Sequence, residues 1–314
     1  MKIDPLIAEW TRSPLSRKTA YVVGSFIVLT GIVHLIAFPF IQDAVWSGPA
    51  GFRKPIVFGI SAGLTVITMA WLLRYFHPQP RLHALMMYSM SVTLIIEIVI
   101  IDLQRFRGVP SHFNTATPFD SVLWALMAQS ILVFAIVSMT QGILSFRKLT
   151  APPALSAAIR GSMILFFLSQ VSGQLIVQNG LDIVTKDGVF IMENVARSTV
   201  YGEAGNLKLP HAITLHSIQA LPLLGLLFAA LPQSASKSGA WVWISAAGFF
   251  GLAATAQSQA YLGKSIQDLD PLSAAILSLS IATFTVPFAY VLSLHLKCCI
   301  VKNRKSELRK FSQA

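Results

Sequence analysis

Residues 84–103 read ALMMYSMSVTLIIEIVIIDL, a run of 20 positions in which Glu97 is the single charged group before Asp102. A helix needs about 20 consecutive apolar residues to cross the hydrocarbon core of a bilayer, so this run is read as a membrane span. Seven further runs of the same kind lie near residues 19–40, 55–75, 121–144, 159–178, 211–232, 240–262 and 271–296. Together the eight occupy about 178 of the 314 residues, in a chain that is 54% hydrophobic and 12% charged. That balance excludes an ordinary cytosolic enzyme. The expected fold is all-α, a polytopic membrane helix bundle of about eight transmembrane helices.

The net charge of +11 is read first as an orientation signal, because Lys and Arg are retained on the cytoplasmic side of a membrane. With both termini inside, the cytoplasmic segments hold 16 of the 24 cations and only 3 acids, Asp4, Glu9 and Glu307. The outer segments carry 8 cations against 9 acids, and Glu97 is left within a span. The asymmetry supports eight crossings and two cytoplasmic termini. Residues 1–18 then form an interfacial leader, with Asp4 capping a short helix that begins at Pro5 and turns Leu6, Ile7 and Trp10 to the membrane interface. The first apolar run is too long for a signal-peptide core and lacks a small-residue cleavage site, so it is read as an uncleaved anchor. Residues 297–314 form a basic cytoplasmic tail suited to anionic lipid. Residues 179–210 form an outer loop, either a lid or a passive connector. Cys298 and Cys299 are too few for a disulfide framework.

Ionisable side chains in hydrocarbon are costly and usually face a bundle interior or a wet cavity. Here several share a depth. His34, Glu97 and His216 each fall about six residues inside the outer boundary of their spans, about 9 Å deep at 1.5 Å per residue. Ser61, Gln174 and Gln257 fall near the same level. Lys54, Ser61, Thr65 and Thr68 stripe one helix face, as do Gln170, Gln174 and Gln178, and Gln257, Tyr261 and Lys264. Glu97 is the sharpest of these signals, since no neighbour in sequence can neutralise it. It must meet a partner, bind a proton or ligate a cation, and a carboxyl starved of water suits proton transfer. His211 and His216 are five residues apart, about 140° around a helix, so they do not form an i, i+4 zinc pair. His216 and Gln219 come closer to sharing a face.

The densest polar run follows Glu97: DLQRFRGVPSHFNTATPFD at residues 102–120. Asp102, Gln104, Arg105, Arg107, Ser111, His112, Asn114 and Asp120 crowd one short connection. With Arg53 and Lys54 from the preceding outer loop, its arginines could grip phosphate or carboxylate. A salt-bridged cap built on Asp102, Asp120 and Asp43 is the alternative.

The run Q-x-x-R-G-x-x-S-H-F-N from Gln104 to Asn114, followed by TPFD, resembles a family of uncharacterised bacterial multi-pass membrane proteins. FRKP from Phe52 to Pro55 and LPHxxxLHxxQALP from Leu209 to Pro222 are similar to the same family. The resemblance implies a helical protein of the bacterial inner membrane. It implies no activity, cofactor or substrate.

Three readings of function follow. The first is a metal- or haem-assisted membrane enzyme with a polar pocket open to the extracytoplasmic side, acting on a lipid-like or amphiphilic substrate. His34, His216 and Glu97 would hold a divalent metal such as zinc or iron, or His34 and His216 would be axial haem ligands. Glu97, His216, His112 and Asp102 are the candidate catalytic groups. Arg53, Lys54, Gln104, Arg105, Arg107, Asn114, Gln174, Gln257 and Lys264 are the candidate substrate-binding groups. The second reading is a proton-coupled transporter or ligand-binding receptor using Glu97, with Pro222 and Pro287 as sites where a span could break. The third is a structural or accessory subunit whose polar layer serves helix association alone. The partners expected are membrane lipids and an amphiphilic small molecule, and nucleic-acid binding is not expected.

Overall fold

The computed structural model describes residues 5–186, 189–231 and 238–311. A short helix, α1 (Pro5–Arg12), precedes α2 (Leu15–Ala37), which a 3-10 turn extends through Phe38–Phe40. There follow α3 (Arg53–Leu73), α4 (Pro80–Phe106), α5 (Pro118–Ser145) and α6 (Pro153–Val184). Then come α7 (Lys208–Leu215), α8 (Ser217–Ala229), α9 (Ser238–Tyr261) and α10 (Pro271–Phe311). Five of these helices open on proline, whose missing N–H falls among donors that no helix start can satisfy internally. Among the described residues, side chains cap two of the five. Thr117 Oγ1 accepts from Asp120 N at 3.1 Å, and Asp270 Oδ1 accepts from Leu272 N and Ser273 N, each at 3.0 Å. The expected cap at Asp4 lies outside the described residues.

Eight helices are long and apolar enough to cross a membrane, with α7 and α8 forming one broken span. Consecutive spans run in opposite directions. The start of α2, the α3–α4 turn and the end of α10 therefore share one end of the bundle, called here the terminal end. At that end Arg74 Nη1 reaches Glu9 at 2.8 Å, and Thr150 N donates to Tyr75 O at 2.8 Å. The connections 41–52, 107–117, 185–207 and 262–270 lie at the distal end. All eight expected spans are present, most of them extended by a few residues. α10 runs 15 residues past its expected end at 296, and α6 begins six residues before and ends six residues after the expected 159–178. Its last turns carry Gln178 and Asp182, bonded to each other at 3.1 Å. Hydropathy marks where a helix leaves hydrocarbon, not where it stops.

Glycine sets the tightest helix pair. Gly24 and Gly31 of α2 lie against Gly59 and Gly63 of α3, so that a Cβ built on Gly59 would come 2.7 Å from Gly31 Cα. Small residues let backbones approach where no hydrophobic drive separates helix from lipid. Gly225 of α8 similarly meets Ala158 of α6, and Gly248 of α9 meets α10 near Ser280 to Phe284. α6 lies against α5, α7, α8 and α9, while α2, α3 and α4 form a second group. Lipid-facing positions such as Phe26, Val92, Ile136 and Leu279 are exposed and apolar.

The described residues of the distal connection, 185–186 and 189–207, are folded. They contain two antiparallel ribbons, β1 (Thr185–Lys186) with β2 (Val189–Phe190) and β3 (Val200–Tyr201) with β4 (Gly205–Asn206), separated by a 3-10 helix at Met192–Arg197. Phe113, Val184 and Val195 form a small core beneath it. Asn179 Nδ2 donates to Ser198 O at 3.0 Å, and Asn194 Nδ2 donates to Ile183 O at 2.9 Å, tying the loop to α6.

Candidate functional site

One face of α3 carries a row of spaced polar side chains. Lys54, Ser61 and Thr68 recur every seven residues, nearly two full turns, and so align about 10 Å apart along the axis. α4 supplies Glu97 opposite this stripe, and α8 supplies Gln219.

At the distal end of the stripe the Lys54 ammonium and the Glu97 carboxyl interact electrostatically. Glu97 is 1% exposed, and among the described residues its Oε2 has no hydrogen-bond partner. The Lys54 Nζ lies 6.0 Å from the Phe58 ring centroid and is also within the field of Lys208, at the start of α7. Lys208 in turn feels Arg53. His112 reaches the same place from the α4–α5 connection. Burial, and then the charges of Lys54 and Lys208, hold its imidazole well below the ordinary histidine range, which keeps it neutral at neutral pH. Its ring packs 5.3 Å from Trp124 and 5.9 Å from Phe58. Phe113, next to it, takes a left-handed backbone at φ 59° and aims its ring at Gly180, where a Cβ would collide with it.

Further along the stripe a chain of side chains joins α3 to α8. Ser61 Oγ is 3.2 Å from His216 Nε2, His216 Nδ1 is 3.3 Å from Gln219 Oε1, and Gln219 Nε2 donates to Thr68 Oγ1 at 3.4 Å. His216 is the residue at which the sixth span breaks, with φ −81° and ψ 1°. The break lies within two turns before Pro222, which cannot donate to the carbonyl of Ile218. Ser217 Oγ donates to Thr214 O at 2.7 Å, taking up a carbonyl at the end of α7. The expected breaks were at Pro222 and Pro287. The first is displaced to His216, and α10 runs unbroken past Pro287.

The expected metal set does not assemble. His34 is held elsewhere, its Nδ1 2.9 Å from Thr30 O and its Nε2 3.8 Å from Asp102 Oδ1, between the rings of Phe52 and Phe106. Equal depth placed it level with Glu97, but it faces a different helix pair. His216 has both ring nitrogens within hydrogen-bond distance of side chains, Nε2 of Ser61 and Nδ1 of Gln219. Among the described residues no three His, Cys, Asp or Glu side chains form a group able to hold a metal ion.

The other expected site residues divide. Gln104, Arg107 and Asn114 build the distal connection. Gln104 Nε2 donates to Asp120 Oδ1 at 2.8 Å, and Arg107 donates to both Gln104 Oε1 and Asp120 Oδ1. Asn114 Nδ2 donates to Pro110 O at 3.1 Å while its Oδ1 accepts from Ala116 N. Of the three acids of the alternative cap, Asp120 pairs with Arg107, whereas Asp102 lies beside His34. Arg105 instead lies 3.8 Å over the Phe52 ring. Gln257 accepts from Ser172 Oγ at 3.3 Å, whereas Gln174, Arg53 and Lys264 are exposed. His211 Nδ1 is 2.8 Å from Ser169 O, and His211 also lies in the field of His216.

Sequence reasoning passed over Lys208, Gln259 and Glu9. Lys208 directly precedes the LPH motif and was counted only as a loop charge. Gln259 is 1% exposed, and neither its amide oxygen nor its nitrogen has a partner among the described residues. Its signal was a second glutamine two residues after Gln257, on the opposite side of the helix. Comparison with protein-family models, with curated proteins and with solved structures returns no match.

Proposed function

We propose that this chain is a proton-coupled membrane transport protein in which Glu97, facing Lys54, is the group that takes up and releases the proton. The observation that carries the reading is the Glu97 carboxyl itself, nearly inaccessible, with its Oε2 unpartnered among the described residues and the Lys54 cation acting on it. Intramembrane carboxyls of this kind mark ion and proton paths. Two further features support it. The sixth span is discontinuous, as are the spans that carry sites in many transporters. The Ser61–His216–Gln219–Thr68 chain continues the polar face of α3 from the Lys54 end toward the other side of the bundle. The excess of cations at the terminal end favours that end as cytoplasmic, in the inner membrane of a bacterium, which puts Lys54, Glu97 and His112 toward the outer half.

The test is solute accumulation in proteoliposomes under an imposed pH gradient, using a panel of labelled organic anions and lysophospholipids. Wild-type protein accumulates at least one solute against its gradient, and Glu97→Gln only equilibrates it. Accumulation by Glu97→Gln equal to wild type overturns the reading. The metal-assisted form of the enzyme reading has no comparable observation behind it, because His34, Glu97 and His216 do not form one group among the described residues.

A further inference from the structure

At the terminal end a complete anion cradle is filled by the chain's own carboxylate. Glu9 Oε1 accepts from Arg17 Nη2 at 2.8 Å, Tyr21 Oη at 3.0 Å and Ser13 Oγ at 3.2 Å, while Oε2 accepts from Arg74 Nη1 at 2.8 Å. Two guanidinium groups and the Tyr21 hydroxyl, with Ser13 Oγ shared between the carboxylate and Glu9 O at 2.7 Å, thus converge from three places in the chain on one anion carried by α1, an eight-residue helix whose Ile7 and Trp10 remain exposed. Arg17 Nε is buried with no partner among the described residues, leaving a donor in the cradle unused.

Beside the cradle is a cavity of about 810 Å³ between α1, α2, α3 and α8, within the range of roughly 300–1,000 Å³ typical of ligand sites. Glu9 and Tyr21 stand at its polar end, and Val22, Trp71, Leu223 and Leu226 are among its apolar walls. Val22 and Leu223, on facing helices, are 57% and 53% exposed. Both belong to membrane-crossing segments, so the cavity opens sideways into hydrocarbon. Arg12, Lys18 and Arg81 add positive charge around the same end. An apolar slot open to the bilayer, with an arginine pair at the level where headgroups lie, has the shape and charge of a site for one class of molecule.

We propose that the cavity binds an anionic phospholipid, one acyl chain lying in the slot while the phosphate displaces Glu9 from Arg17 and Arg74. Glu9 then occupies the empty site as an internal stand-in for the headgroup, and α1 is released when lipid enters. No covalent step is involved, and the inference is independent of the proton-coupled reading. Thr68 and Gln219 line the cavity as well as the polar chain of the α3–α8 seam, so a bound lipid would touch that chain.

The test is native mass spectrometry of the delipidated full-length protein, titrated with phosphatidylglycerol or with phosphatidylcholine of the same acyl chains. The wild type binds one phosphatidylglycerol more tightly than any phosphatidylcholine. Arg74→Gln weakens that binding about fivefold, as expected for one basic residue near a headgroup, and leaves phosphatidylcholine unchanged. Leu223→Trp, which fills the slot from a position where bulk is tolerated, weakens both lipids. Glu9→Gln tightens phosphatidylglycerol binding by removing the competitor. Equal binding of the two lipids by wild type, or phosphatidylglycerol binding unmoved by both Arg74→Gln and Leu223→Trp, overturns the site. Unchanged or weaker binding by Glu9→Gln overturns the displacement of Glu9.

Discussion

A charge moved out of water must be answered, and Lys54 and Glu97 answer one another across the α3–α4 contact. Removing either leaves the other stranded, at roughly 1–3 kcal/mol for an uncompensated buried group. Lys54→Met and Glu97→Gln each lower the thermal midpoint in detergent, and the double variant loses clearly less than the sum. Strict additivity would show that the two groups do not interact. His112 gives a separate pH prediction. Its native form resists protonation while the unfolded chain titrates near the ordinary value of 6.5. Below that value the unfolded state binds the additional proton, so stability falls as pH drops. His112→Gln flattens the slope of the thermal midpoint between pH 7.5 and 5.5, and an unaltered slope would count against a buried neutral imidazole.

At the scale of the helix, backbone contact matters more than polarity. Gly59 and Gly63 admit α2 so closely that any side chain meets backbone, and overpacking of this kind costs about 1–3 kcal/mol or more. Gly59→Val therefore sharply reduces the yield of monodisperse protein, while Gly142→Ala, whose added Cβ meets a Met163 atom no closer than 3.9 Å, leaves yield and midpoint unchanged. Equal behaviour of the two variants would contradict the packing. The spans themselves were readable from hydropathy, while the proline starts at Pro80, Pro118 and Pro153 lie a few residues ahead of the expected ones. The break at His216 was not readable, because α8 continues through Pro222 and hydropathy does not record where α7 gives way to it.

Across the whole molecule, depth was legible and azimuth was not. Counting residues from span ends placed His34, Glu97 and His216 at one level, and the regular spacing of Lys54, Ser61 and Thr68 showed a polar face. Which helices stand beside that face is decided by glycine contacts and loop lengths, which hydropathy does not record. His34 therefore sits with Asp102, apart from the seam. The same limit hid the Glu9 cradle, since its partners come from residues 8 and 65 positions away. The charge asymmetry makes its own prediction at this scale. Cys298 and Cys299, exposed at the terminal end, react with a membrane-impermeant maleimide in inside-out vesicles and not in intact cells, and the reverse pattern would invert the orientation.

The account rests on Glu97 exchanging a proton inside the bundle. Infrared difference spectra of the reconstituted protein, taken as pH is stepped, read the carboxylic C=O stretch directly. A pH-dependent band that is present in wild type and missing in Glu97→Gln is the expected result. The same band at full strength in Glu97→Gln, or no carboxylic band in wild type at any pH at which the protein stays folded, would contradict it.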